Sequence, residues 1–190
     1  MNDEEKLSRR EFFLKGIFSL IKEGSKLVQG SLESFNLEIG ESGRYLRPPG
    51  AIEEGMFLKL CTKCGDCKDA CPYDAIVMLG EGKGIRSGTP VIIPTVTPCY
   101  YCDDFPCIKA CKEGALTEKH LIMGKAVISE SRCYAYKDVF CIDCFNECPK
   151  SAIKLDVEGR PVVIEENCVG CGMCVKVCPT SPKAIRVVPM

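Results

Sequence analysis

The stretch CTKCGDCKDACP, Cys61 to Pro72, sets four cysteines at gaps of two, two and three residues and stops on a proline. The pattern returns unchanged as CVGCGMCVKVCP, Cys168 to Pro179. Between them lie two looser copies: CYYCDDFPCIKAC, with Cys99, Cys102, Cys107 and Cys111, and CYAYKDVFCIDCFNECP, with Cys133, Cys141, Cys144 and Cys148 before Pro149. All sixteen cysteines of the 190-residue chain fall into these four groups, far above ordinary usage. Three readings fit an even count in a short chain: disulfides, structural zinc or iron–sulfur clusters.

The spacing decides among them. C-x2-C-x2-C-x3-C-P is the bacterial ferredoxin run, in which three cysteines hold one [4Fe–4S] cluster and the fourth reaches the neighbouring cluster. Zinc would leave the third cysteine of each group without a task. Disulfides fit poorly where a thiol recurs every third residue. The flanks repeat too. Each last cysteine is followed by a short turn and a strand-like run: YDAIVML, KEGALTE, KSAIKLD and SPKAIRVV. Groups two to four are preceded by PVIIPTV, KAVIS and RPVVIEE. The alternation in AIKLDV and the turn residues Glu158–Pro161 predict a hairpin joining groups three and four. The expected fold class is therefore α+β: bacterial-type 2[4Fe–4S] ferredoxin modules of short strands and short helices, four units in all.

Composition narrows the function. The formal charge is −1 with cysteine taken as neutral, and 27% of residues are charged. Sixteen thiolates around four oxidised cores would add roughly −8, which argues against nucleic-acid partners. No apolar run approaches the roughly 18–20 residues of a membrane span. No nucleophile triad, carboxylate pair or flavin fingerprint is present, so the chain reads as an electron carrier and not an enzyme. GEGKGIRSG, Gly80–Gly88, lacks the lysine–serine/threonine ending of a phosphate loop and reads as a flexible loop. His120 is the only histidine, and a Rieske-type centre needs two. Tyr73, Tyr100, Tyr101, Tyr134 and Tyr136 sit close to the cysteines and are expected to cover the clusters.

Near the N-terminus, SRREFFLKG (Ser8–Gly16) resembles a twin-arginine export signal. The apolar stretch behind it, GIFSLI, is cut short by Lys22 and Glu23, and no A-x-A-like cleavage site follows. An amphipathic docking helix with Phe13, Ile17, Leu20 and Ile21 on one face is the competing reading. Residues 1–45 are thus expected to be this segment and a linker, and residues 46–190 the four-cluster domain.

RYLRPPGAIEE before the first group, with CPYDAI, SGTP, PCYYCDDFPCIKACKEGAL and the long-gapped third group ending CFNECPK, resembles the NapG/MauM-type ferredoxin family. The resemblance runs from about Leu46 to the C-terminus. It implies a periplasmic four-cluster protein that, with a membrane-bound ferredoxin partner, relays electrons from quinol toward a reductase or cytochrome. It also supports Cys133 as a ligand despite the seven residues before Cys141. Likeness to four-cluster ferredoxin subunits further implies nested pairing, group one with four and two with three. The ligand sets would then be Cys61/Cys64/Cys67/Cys178, Cys168/Cys171/Cys174/Cys71, Cys99/Cys102/Cys107/Cys148 and Cys133/Cys141/Cys144/Cys111. Sequential pairing, one with two and three with four, is the alternative. A rival function is a cytoplasmic electron-transfer subunit of a molybdenum oxidoreductase or hydrogenase complex. An iron–sulfur maturation or sensing protein is a third.

Overall fold

Strand pairing is settled by the apolar runs that flank each cysteine group. In the computed structural model, which describes residues 44–190, the run after group one, β1 (Ile76–Met78), pairs antiparallel with the run before group two, β2 (Pro90–Ile92). The run after group three, β4 (Ile153–Leu155), pairs with the run before group four, β5 (Pro161–Val163). This second pair is the predicted hairpin. Its turn is closed by the Asp156 N–H on the Arg160 carbonyl, and the Asp156 carboxylate accepts from the Glu158 and Arg160 amides. The first hairpin spans the glycine-rich Gly80–Gly88 segment, which holds a 3-10 turn at Gly84–Arg86.

The outer runs of the second module also pair. Strand β3 (Gly124–Ile128), before group three, lies antiparallel to β6 (Ile185–Pro189), after group four, with Ala126 opposite Val187. In the first module the equivalent contact shrinks to one bridge, Ala51 to Leu116, so the predicted strand in KEGALTE does not form. The N–H of Thr117 and that of Gly50 are bonded across this seam to the carbonyls of Gly50 and His120.

The four helices inside the cysteine groups are short because each starts in the cysteine loop and stops at or just before the fourth cysteine. α1 (Glu54–Leu60) precedes group one, and the Glu53 carboxylate caps it by accepting from the Gly55 and Met56 amides. α2 (Asp66–Asp69), α3 (Pro106–Ala110), α4 (Asp143–Asn146) and α5 (Met173–Val177) lie inside the four groups. α1 buries Phe57 completely.

After every fourth cysteine comes the same buried pair: Ala75–Ile76, Ala115–Leu116, Ala152–Ile153 and Ala184–Ile185, each residue 2–3% exposed. These pairs and the cysteines form two adjoining cores, the first of which also takes in Cys171 of the second module. A half-buried ion pair pins the leading segment over the first. Arg47, 6% exposed, grips Glu54 with two bonds of 2.8 and 2.9 Å, donates to Thr89 Oγ1 and the Pro90 carbonyl, and lies 4.7 Å from the centre of the Phe57 ring. Arg86 adds a third bond to Glu54. Burial alone would raise the Glu54 carboxyl; Arg47 and Arg86 outweigh it and hold the group below its ordinary range. Glu54→Ala is expected to cost about 2–3 kcal/mol, since Arg47 stays buried with only Thr89 and the Pro90 carbonyl as partners, read as a lowered guanidinium midpoint at unchanged iron content.

The two modules share a tight seam. The Cys99 N–H donates to the Cys171 carbonyl at 2.9 Å, and the Met123 N–H to the Val169 carbonyl at 3.0 Å. Lys176 Nζ reaches the Val96 carbonyl at 2.9 Å. Glycine is required here: a Cβ on Gly172, at φ +85°, would stand 2.6 Å from Pro94, and beside it, within the second module, one on Gly170, at φ +74°, 2.5 Å from the Gly124 nitrogen.

Residues 1–43, which include the twin-arginine-like stretch and the competing amphipathic face, lie outside the described residues.

Candidate iron–sulfur centres

The hairpins decide which thiols meet. Because β1 and β2 are neighbours, the fourth cysteine of group one swings to group two, and the same holds for groups three and four. Cys71 lines a hollow with Cys99, Cys102 and Cys107. Cys148 does so with Cys168, Cys171 and Cys174, and Cys178 with Cys133, Cys141 and Cys144. The remaining set, Cys61, Cys64, Cys67 and Cys111, is visible at Cys67. Burial, and then the thiols of Cys61, Cys111, Cys107 and Cys64, push that thiol up to about 12. The thiols group differently from the nested arrangement expected from the sequence: Cys178 lies with group three and not group one, and Cys71 with group two and not group four. Cys148 and Cys111 likewise stay within their own modules. The short Glu158–Pro161 turn of the predicted hairpin is what holds groups three and four together.

Each of these three hollows is lined by four thiols among mostly apolar side chains. Among the described residues no three Cys, His, Asp or Glu side chains converge closely enough to hold a single ion. All sixteen cysteines are free thiols. Four thiols around a space of this kind suit a cube with one iron behind each sulfur better than a lone zinc.

Electrostatics carry the same message. Burial first, then neighbouring thiols, push Cys144 and Cys99 up to about 12 and Cys107 to about 11. Four thiolates this close need a compensating positive charge, which iron supplies. The chain adds hydrogen bonds to sulfur. The amides of Ala75, Ala152 and Leu116 donate to Cys71, Cys148 and Cys111 at 3.4, 3.2 and 3.4 Å. Those of Tyr101 and Ala126 donate to Cys99 and Cys168 at 3.4 and 3.3 Å. The sequence reading missed these donors. Their signal was the alanine that recurs before each post-cysteine apolar residue: a small side chain lets the strand's first amide approach the sulfur.

Cys133 is buried and in place, so the long gap does not remove it from its set. The inserted residues turn through a 3-10 segment at Ala135–Lys137, with the Tyr136 hydroxyl on the Pro161 carbonyl at 3.3 Å. They cover the hollow only in part. Tyr134 lines it, but Phe140 is 86% exposed. At the Cys71 hollow, Tyr73 and Tyr100 stack at 4.0 Å and both line the wall. Tyr101 meets Phe105 edge-on at 5.1 Å and carries Lys150 Nζ 4.4 Å above its ring. His120 offers the site nothing but a backbone carbonyl, to Gly50.

The fold and the four thiol sets define a ferredoxin-type protein with four [4Fe–4S] clusters. Two family profiles, each described as a 4Fe-4S dicluster domain, match residues 60–115 and 138–184, one per module. The chain is 38% identical over 167 residues to the ferredoxin-type protein NapG of Escherichia coli K12, covering 78% of this chain and 72% of that one. It is 42% identical over 199 residues to the methylamine utilization ferredoxin-type protein MauM of Methylorubrum extorquens, covering 96% and 89%. MauM of Paracoccus denitrificans is 40% identical over 161 residues, covering 77% and 72%. The chain belongs to the NapG/MauM family of ferredoxin-type proteins, which are iron–sulfur electron carriers. Among the described residues no helix is long and apolar enough to cross a membrane.

Proposed function

We propose that the sixteen cysteines hold the clusters in sequential sets, group one with two and three with four, and that the chain works as a four-centre wire. On this reading, electrons pass from a membrane quinol-oxidising ferredoxin partner to a reductase or cytochrome on the periplasmic side. When bound, each [4Fe–4S] cluster takes up and gives back an electron; the chain fixes spacing, burial and potential.

The observation that carries the wire is the order of the sets. Cys107 bears on Cys67, joining the Cys61 and Cys99 sets, and Cys144 bears on Cys174, joining the Cys133 and Cys168 sets. The Cys99–Cys171 backbone bond joins the two middle sets across the seam. The line thus starts at Cys61/Cys64/Cys67/Cys111 and ends at Cys133/Cys141/Cys144/Cys178. Cys64, at the first end, is the one exposed cysteine of the sixteen.

The periplasmic half rests on Ser8–Lys15 and on the family, the quinol half on the family alone. The charged Lys22–Lys26 stretch favours the cytoplasmic-subunit reading instead. A reporter fused after residue 50 should reach the periplasm only in cells with a working twin-arginine translocase. Quinol-reduced membranes from the source organism should bleach the visible absorbance of the holoprotein. Retention of the reporter in the cytoplasm would overturn the periplasmic assignment, and absorbance that stays unbleached would overturn the quinol relay.

A further inference from the structure

In three repeats the sulfur of the fourth cysteine takes a backbone amide directly, from Ala75, Leu116 or Ala152. The fourth repeat differs. CPYDAI and CPKSAI place their alanine four residues after the cysteine, whereas CPTSPKAI places Ala184 six residues after Cys178. The two extra residues make room for a side chain. The Ala184 N–H donates to Thr180 Oγ1 at 2.7 Å, and Thr180 Oγ1 lies 3.2 Å from Cys178 Sγ. Thr180 is 6% exposed, so water competes little for its hydroxyl.

The direction of the second bond follows from the chemistry. A cluster-bound sulfur is a thiolate and has no hydrogen to give. The Ala184 amide already fills a lone pair of the hydroxyl oxygen, and the hydroxyl hydrogen is free to point at sulfur. Amide, hydroxyl and sulfur thus form a relay where the other repeats have a single bond.

We propose that Thr180 sets the reduction potential of the cluster held by Cys133, Cys141, Cys144 and Cys178, by donating its hydroxyl hydrogen to Cys178 Sγ. Reduction adds negative charge to the cluster and its sulfurs, and a donor aimed at a sulfur stabilises that charge and raises the potential. Three of the fourth-cysteine donors are backbone and cannot be deleted by mutation; this one can.

The inference rests on Cys178 being a ligand of that set, so two variants separate the claims. Thr180→Val, nearly isosteric, should retain about sixteen iron atoms and shift one of the four waves of an EPR-monitored redox titration to lower potential. Thr180→Ser should leave all four waves in place. Cys178→Ala should lose one cluster; if it keeps all its iron, the ligand assignment fails, whatever Thr180 does. Provided Cys178→Ala loses its cluster, four unmoved waves in Thr180→Val, a Thr180→Ser wave displaced as far as the valine wave, or iron loss in Thr180→Val would each overturn Thr180 as the tuning donor.

Discussion

Anaerobically purified protein is expected to contain about sixteen iron atoms per chain, and stripping them is expected to unfold residues 44–190 rather than leave an empty scaffold. The inner strands are three residues long and the helices inside the cysteine groups four or five. Helices of one turn do not persist alone, and an isolated two-stranded hairpin is marginal. Among the described residues the sheets are three separate pairs, so no continuous sheet there takes over the load. Each core counts cysteines among its buried members, with Cys67, Cys99, Cys107 and Cys171 in the first and Cys133, Cys168, Cys174 and Cys178 in the second. Removing the clusters therefore empties the centres around which the apolar residues pack, and metal binding and folding become one equilibrium. Metal analysis with far-UV circular dichroism before and after anaerobic chelation measures both effects. Stoichiometric zinc, or an iron-free chain that still unfolds cooperatively in urea, would contradict the expectation.

The repeat unit was open to reading because period and chemistry coincide. Gaps of two, two and three between cysteines, each group trailed by an apolar pair, leave little but an iron–sulfur loop followed by a strand. The Asp156–Arg160 turn was equally plain from its residues. Pairing was not, because likeness of spacing between groups one and four is a statement about local loops. Which fourth cysteine meets which triplet depends on strand neighbours, and the hairpins at Ile76–Ile92 and Ile153–Val163 fix those. Most hidden of all were partners that depend on three-dimensional approach. No local pattern shows Arg47 reaching Thr89, forty-two residues on, or the Ala184 amide turning to a hydroxyl. Tyr134 was expected to cover its cluster, but it lines the hollow while remaining 40% exposed, and its loop neighbour Phe140 stands in solvent.

Paired cysteine substitutions are expected to expose the ligand exchange through iron counts alone. Each of Cys133→Ala, Cys178→Ala and Cys61→Ala should remove one cluster, leaving about twelve iron atoms. With Cys178 in the set of Cys133, the Cys133→Ala/Cys178→Ala double variant removes the same cluster twice and also stays at about twelve. The Cys61→Ala/Cys178→Ala double variant strikes two different sets and should fall to about eight. Nested pairing demands the reverse, about eight for the first double variant and about twelve for the second. The difference is a whole cluster, large beside the scatter of an iron assay. Loss should also stay local, because the modules meet through backbone bonds at Cys99–Cys171 and Met123–Val169 and not through an exchanged thiolate. EPR of the reduced variants checks this: the Cys133→Ala protein should keep the spin coupling between the Cys61 and Cys71 sets, since those two centres share the first module and exchange only Cys71 and Cys111. If Cys133→Ala instead disturbs that signal or keeps its full iron, the sequential assignment is wrong at the residue where the gap first called it into question.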